Sequence, residues 1–233
     1  MKHLIETTEL SSLGIAEYDR LILDSAKNEI VYRGGVKYEY VDLGLPSRLK
    51  WAKCNLGAKT ETDYGDYFMW GSTIPNNDTP CDWEHAPFNN GSSDYDETYF
   101  NSVKDTVCPN GILTKEYDAV SQIMGGDWRM PTKAEFDELL SGTTNEWIAN
   151  YNDTDVSGRK FTSKTNGNSI FIPAAGNRSN SWLINQGHYG YVWSSSLYAS
   201  NPDNAWHLFF NSNSCNMSNY SHCYGRSVRG VRK

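Results

Sequence analysis

Chemistry in this chain would have to come from a small set of side chains. Five cysteines (Cys54, Cys81, Cys108, Cys215 and Cys223) are widely spaced and form no CxxC pair. That pattern disfavours a structural zinc site or a disulfide framework. Cys215 and Cys223 could be nominated as oxidising thiols, but no base motif or cationic neighbour accompanies them to lower a thiol pKa. His207 and His222 stand without a companion ligand set and read as contact residues or neutral surface histidines. Glu135, Asp137 and Glu138 follow Thr132 in a capping-box spacing, which places them on the solvated side of a helix. The expectation is therefore no catalytic residue, no cofactor and no metal: a binding protein rather than an enzyme.

What remains is a surface near the C-terminus. From residue 198 to 224 the chain uses Asn, Ser, Asp, Tyr, His, Cys and Phe, with no Lys, Glu or Gln. Solvated loops normally use those three freely. Randomising the first two bases of an Asn codon that ends in a pyrimidine yields this palette and cannot yield Lys, Glu, Gln, Met or Trp. Within the window only Trp206 and Met217 fall in the unreachable set. Trp206, Leu208 and Phe210 alternate with His207, Phe209 and Asn211, the period of a two-faced strand, with the first set inward. A diversified face on a fixed frame fits this pattern; an ordinary Ser/Asn-rich loop region is the plain alternative.

On the first reading Tyr198, Phe209, Tyr220 and Tyr224 are ligand anchors. Asn201, Asp203, Asn204, His207, Asn213, Ser214, Cys215, Asn216, Ser218, Asn219, Ser221, His222 and Cys223 complete the varied face. Trp193, Trp206, Leu208, Phe210, Met217 and Val228 are the scaffold. Tyr and Phe give broad contact at low entropy cost and Ser and Asn give adaptable hydrogen bonds, the palette of antibody paratopes.

The elements that must position this face are short. Residues 38–51 read as a strand, a Gly/Pro turn and a strand, and residues 64–71 as a buried aromatic strand. Residues 72–107 read as a long loop. Helices are expected over 117–124, ending at Gly125-Gly126, and from Thr132 to Leu140 with Phe136, Leu139 and Leu140 buried. Ser169–Ala175 reads as a buried strand and 176–181 as a polar loop. Residues 1–37 read as an extension for attachment or oligomerisation, with a simple N-terminal flap on the main domain as the alternative; segment 10–23 reads as an amphipathic helix or a strand pair, and Gly34-Gly35 as a turn or hinge.

At 233 residues, the chain suits one large domain with a small appendage. Its net charge of −7 and the lack of a Lys/Arg cluster argue against a nucleic-acid partner. No apolar run is long enough to insert in a membrane, and the first residues lack a secretory leader. The leaderless start is read as cytoplasmic synthesis.

Six motifs in order carry a resemblance: Val41-Asp-Leu-Gly-Leu-Pro-Ser47, Tyr64-Gly-Asp-Tyr-Phe-Met-Trp-Gly71, Trp128-Arg-Met-Pro-Thr132, Phe171-Ile-Pro-Ala-Ala-Gly176, Trp193-Ser-Ser-Ser196 and Ser227-Val-Arg229. Over residues 38–233 the chain resembles the Fibrobacter succinogenes major paralogous domain. That resemblance implies an α+β, C-type lectin-like fold of the formylglycine-generating-enzyme type: short strands with two helices and long loops. The window 198–224 further resembles the variable region of diversity-generating retroelement variable proteins. By implication the protein binds an unknown protein or glycan on a cell surface, as a phage-tail or adhesin-like component of the virion, and it could be a homo-oligomer. A non-diversified or sugar-binding module of the same fold is the alternative. Asn201-Pro-Asp203-Asn204 is similar to the galactose motif of animal lectins, but its companion Trp-Asn-Asp element is missing and calcium is not expected there.

Overall fold

Alternating apolar residues and frequent turn formers give this chain short strands in place of long helices. The computed structural model describes residues 38–233 and, ahead of them, the backbone of residues 20–24 and 29–33. The chain divides into two compact units, Met1–Tyr38 and Glu39–Lys233. In the first, β1 (Arg20–Asp24) pairs antiparallel with β2 (Glu29–Arg33). The part of the 10–23 segment that is described is thus a strand; residues 10–19 and the Gly34-Gly35 hinge lie outside the described residues, as does most of the expected attachment piece.

The second unit is mixed α and β, built mostly of small antiparallel sheets with few helices. β3 (Tyr40–Asp42) and β4 (Lys50–Asn55) form the expected hairpin, and β13 (Arg229–Arg232) pairs on the other side of β4. A second sheet joins β5 (Thr143–Ile148), β6 (Gly158–Ser163) and β7 (Ser169–Pro173). A third joins β10 (Gly190–Leu197), β11 (Asn204–Phe210) and β12 (Cys215–Ser221), with β11 central. Between them the core collects Leu43, Trp51, Phe161, Ile172, Leu208 and Val231.

Helix α3 (Lys133–Gly142) closes this core with Phe136 and Leu139, both fully buried, while Leu140 is partly buried. Its capping box is present: the Glu135 amide donates to Thr132 Oγ1, and the Thr132 amide donates to the Glu135 carboxylate at 2.8 Å. The expected helix over 117–124 is seen as the shorter α2 (Ala119–Ile123).

Three expectations are corrected. The segment 72–107 is not loop throughout, since Glu97–Val107 is helix α1, capped by Asp96. Its buried residues, Phe100 and Val107, are seven apart, too sparse a stripe to stand out from the loop chemistry before it. In the 64–71 segment residues 67–71 are buried and 64–66 half-buried, but the segment makes only an isolated bridge, Phe68 opposite Arg226, in place of a strand. Residues 176–181 are not simply a loop: β8 (Asn177–Ser179) pairs with β9 (Trp182–Ile184).

The remaining irregular stretch is held by side-chain amides. Asn89 is fully buried, donates to the carbonyls of Trp83, Ser92 and Asp94, and accepts from the Asp96 amide at 2.7 Å. It substitutes for a missing strand partner. Asn89→Ala is expected to cost about 2–4 kcal/mol in urea unfolding, because four backbone groups lose one shared partner. A cost below about 0.5 kcal/mol would mean that water replaces the amide.

Candidate ligand-binding face

Register decides which face of the β10–β11–β12 sheet each residue occupies. Tyr191, Phe209 and Asn216 stand in one row across the strands, Trp193, His207 and Ser218 in the next, and Ala205 and Tyr220 in the third. These share the face away from the core. The opposite parity holds Asn204, Trp206, Leu208 and Phe210 on β11, with Ser221, Asn219, Met217 and Cys215 as their partners on β12. Leu208 and Phe210 are completely buried, and Met217 and Cys215 pack against the same core.

The frame under this face follows from its motif. Trp193 is fully buried and donates from its indole to the Phe68 carbonyl at 2.9 Å, while the Trp70 indole donates to the Ser194 carbonyl at 2.9 Å. A bulge follows Trp193, and the three serines bond what it exposes. Ser194 donates from its hydroxyl to the Trp206 carbonyl, and Ser196 accepts from the Lys133 amide at the start of α3. Gly190 is required by close approach, since a Cβ there would lie 2.0 Å from the Phe210 ring. Val228 is buried as expected of scaffold.

The sequence-predicted residues do not form one face. Phe209, Asn216, Ser218 and Tyr220 do come together on the outer face. Asn213 and Ser214 cap the β11–β12 hairpin, where the Asn211 side chain accepts from both their amides at 2.8 Å. Tyr198, Asn201 and Asp203 form the turn at the other end of β11, closed by the Tyr198 amide bonding the Asn204 carbonyl. A seven-residue strand separates the two ends by about 20 Å. Asn204 and Asn219 lie on the reverse side, half-buried and bonded to each other at 2.9 Å. Ser221 is on that side as well and Tyr224 follows the sheet, both half-buried.

Five assignments change outright. His207 was expected outward as a contact and is 2% exposed. The outer face is itself covered at that row by Trp193, Tyr191 and Arg226, so a residue on it can still be core. His222 is completely buried among Trp70, Trp83, Tyr95 and Phe100, with centroids 4.9–5.9 Å away. Cys223 is buried with Met69, Cys81 and Ala86. Cys215 faces the core. Conversely Trp206, expected as core, is only half-buried, between Tyr198 and the Lys133 ammonium.

Electrostatics follow burial. The imidazole of His222 is pulled down to about 3 by desolvation, and that of His207 well below its usual value by desolvation and then by Arg226. Burial pushes the Cys215 thiol up to about 11 and the Cys223 thiol up to about 12, the opposite of what a nucleophilic thiol requires. Among the described residues no three His, Cys, Asp or Glu side chains gather as a metal set. No helix among them is long and apolar enough to cross a membrane.

Residues outside the 198–224 window enlarge the outer face. Tyr189 and Tyr191 lie 6.0 and 5.5 Å from Phe209, ring to ring. Their period-2 spacing in Gly187-His-Tyr-Gly-Tyr-Val192 was visible in the sequence. Arg178 on β8 bridges Gly225, and the β8–β9 hairpin then presents Trp182, Leu183 and Ile184, exposed by 74%, 39% and 40%. Gly225 allows that approach, since a Cβ there would sit 2.6 Å from the Cys81 sulfur and 3.1 Å from the Arg178 Cβ.

A family model described as a domain of unknown function (DUF8237) matches residues 143–231, the stretch from β5 into β13 that contains this sheet. No curated protein and no solved structure matches the chain.

Proposed function

We propose that residues 38–233 are a C-type lectin-like ligand-binding domain of the formylglycine-generating-enzyme type, whose varied outer sheet face is rewritten by a diversity-generating retroelement. The observation that carries the reading is the division across the sheet. Phe209, Asn216, Ser218 and Tyr220 project from one face, while Leu208 and Phe210 on its reverse and the framing Val228 are fully buried, as is Trp193 within the outer rows. Such a face can change without loss of the fold. The resemblance motifs support the fold reading, because Trp70, Trp128, Phe171, Trp193 and Arg229 all fall at buried positions. Binding without catalysis fits a face of rings, amides and hydroxyls whose nearby thiols and imidazoles are held neutral. Display on a phage tail, facing a protein or glycan of the host surface, belongs to the same proposal.

The decisive experiment is to sequence the gene and its flanks across related isolates. Substitutions at adenine positions of a nearby template repeat should concentrate at codons 209, 216, 218 and 220 and spare Trp206 and Met217. Evenly scattered substitutions with no template would sink the retroelement reading.

Protein variants give an independent check. Tyr220→Ser and Asn216→Asp are expected to alter ligand binding and to shift stability by no more than about 0.5 kcal/mol. His207→Ser, by contrast, should destabilise by about 1–3 kcal/mol, because it empties a buried site. Equal effects on stability at positions 207 and 220 would refute the division of the sheet into frame and face.

A further inference from the structure

The outer face conceals a cation with no carboxylate partner among the described residues. Arg226 is 2% exposed, and its Nε and Nη1 are buried with no hydrogen-bond partner. Its guanidinium carbon lies 4.3 Å from the Trp193 ring centroid, 4.9 Å from Tyr191 and 5.4 Å from Tyr220. Among the described residues no carboxylate lies within 4 Å of it. Burial lowers its pKa to about 9, while the phenols of Tyr191, Tyr220 and Tyr224 act the other way, so it stays charged at neutral pH. Three rings compensate a guanidinium only in part, and a buried charge lacking donors' partners is costly to keep. Each such group in a native fold calls for a missing partner.

The surroundings favour an anion. Asp203 is the only acidic residue among residues 156–233, which carry eight Lys and Arg, although the whole chain has a net charge of −7. Next to Arg226, Arg178 is joined to Gly225 by a backbone pair, and its Nε is likewise buried without a partner. Of the three rings over Arg226, Tyr220 is the most exposed: it stands on the edge strand β12 and is 49% exposed, its centroid 5.4 Å from the guanidinium carbon.

We propose that Arg226 is a fixed seat for a carboxylate of the bound partner, with Tyr220 as its cover, and that the partner is a protein surface presenting Asp or Glu beside an apolar patch. The inference rests on the outer sheet face being the binding site, as proposed above. It adds an anchor that diversification of residues 198–224 leaves unchanged, since Arg226 lies beyond that window. A protein is favoured over an acidic sugar by Leu183 and Ile184, exposed by 39% and 40%, whose branched aliphatic surface gains most from an apolar neighbour, whereas the adjacent Trp182 ring would stack on either. Aromatic residues with an arginine at their centre are the composition of interface hot spots.

The test selects binders to the full chain from a random displayed peptide library and, in parallel, probes an array of acidic and neutral glycans. Selected peptides are expected to be enriched in Asp and Glu, and replacing the key Asp by Asn in the best peptide should weaken it about ten- to a hundredfold. Arg226→Gln should abolish the preference. Should that variant fail to fold, the Asp-to-Asn comparison on the unaltered protein still decides. Peptides without acidic enrichment, an Asn peptide that binds equally well, or no selectable peptide at all would overturn the seat. Acidic glycans bound in place of peptides would overturn the protein partner. Peptides that lose affinity in Phe209→Ala and Tyr220→Ala but show no acidic preference would leave the face standing and remove only Arg226. Binding indifferent to Phe209 and Tyr220 would remove the face itself.

Discussion

Acidification from pH 7 to pH 4 is expected to destabilise the domain steeply, with His222 as a main cause. Its imidazole is completely buried in a box of four aromatic rings, and neither ring nitrogen has a partner. Desolvation lowers its folded-state pKa from 6.5 to about 3. Between those values the unfolded chain binds a proton that the folded chain refuses. The contribution is therefore fully present above pH 6.5 and is lost as pH falls toward 3, at about 1.4 kcal/mol per pH unit. By pH 4.5 His222 alone removes about 3 kcal/mol, a large share of an ordinary domain's stability. His207, lowered by its own burial and by Arg226, adds in the same direction. Asp118 and Asp203, both raised by burial, work against it as they take up protons.

His222→Phe separates these contributions. Phe suits an apolar box and removes two unpaired nitrogens, so its cost at pH 7 should stay below about 1.5 kcal/mol. Urea unfolding from pH 7 to 4 should then show a slope shallower by about 1.4 kcal/mol per unit than the unaltered protein. Identical slopes in the two proteins would mean that His222 is hydrated or protonated in the folded state.

The burial of His222 also marks where sequence reading stops. Period-2 alternation correctly separated Leu208 and Phe210 from Phe209, because pleating alone sets that parity. It could not place His207, since whether the second face of a strand is covered depends on residues distant in sequence: here Arg226 and, through the bridge to it, Phe68. His222 and Cys223 were read as exposed because they fall in the polar 198–224 window, yet the chain there turns under Trp70 and Trp83. Helix α3 was legible because Thr132 and Glu135 signal its start locally. Helix α1 was hidden because Asp96 caps it but only Phe100 and Val107 mark its buried side. Arg226 went unnoticed for a related reason: an arginine beside Ser227-Val-Arg229 looks like frame, and only its two buried nitrogens without a hydrogen bond set it apart.

Arg229 shows what a framing arginine looks like when its partners are present, and its removal should have the largest single effect on the fold. It is fully buried, and its guanidinium donates to the Asn55 side chain at 3.0 Å, to the Ala52 and Phe171 carbonyls at 2.9 Å, and to the Lys53 carbonyl. Those acceptors belong to β4 and β7, strands of two different sheets, so one side chain ties both sheets to β13. Burial lowers its pKa to about 10, which still leaves it charged at neutral pH. Arg229→Met keeps much of the volume and strands three carbonyls and an amide oxygen in a dry interior. The expected cost is about 3–5 kcal/mol, within reach of the whole stability of a domain this size. Arg229→Lys can satisfy only part of the set, because a single ammonium cannot reach both sheets with the geometry of a planar fork. Its cost should fall between those of Met and the native residue. Arg226→Met supplies the contrast, since it removes a charge whose Nε and Nη1 have no hydrogen bond to lose; its cost in urea unfolding should be well below that of Arg229→Met. If the two methionine variants proved equally destabilising, then Arg226 would be a structural residue with partners of its own, and the carboxylate seat would lose its physical basis.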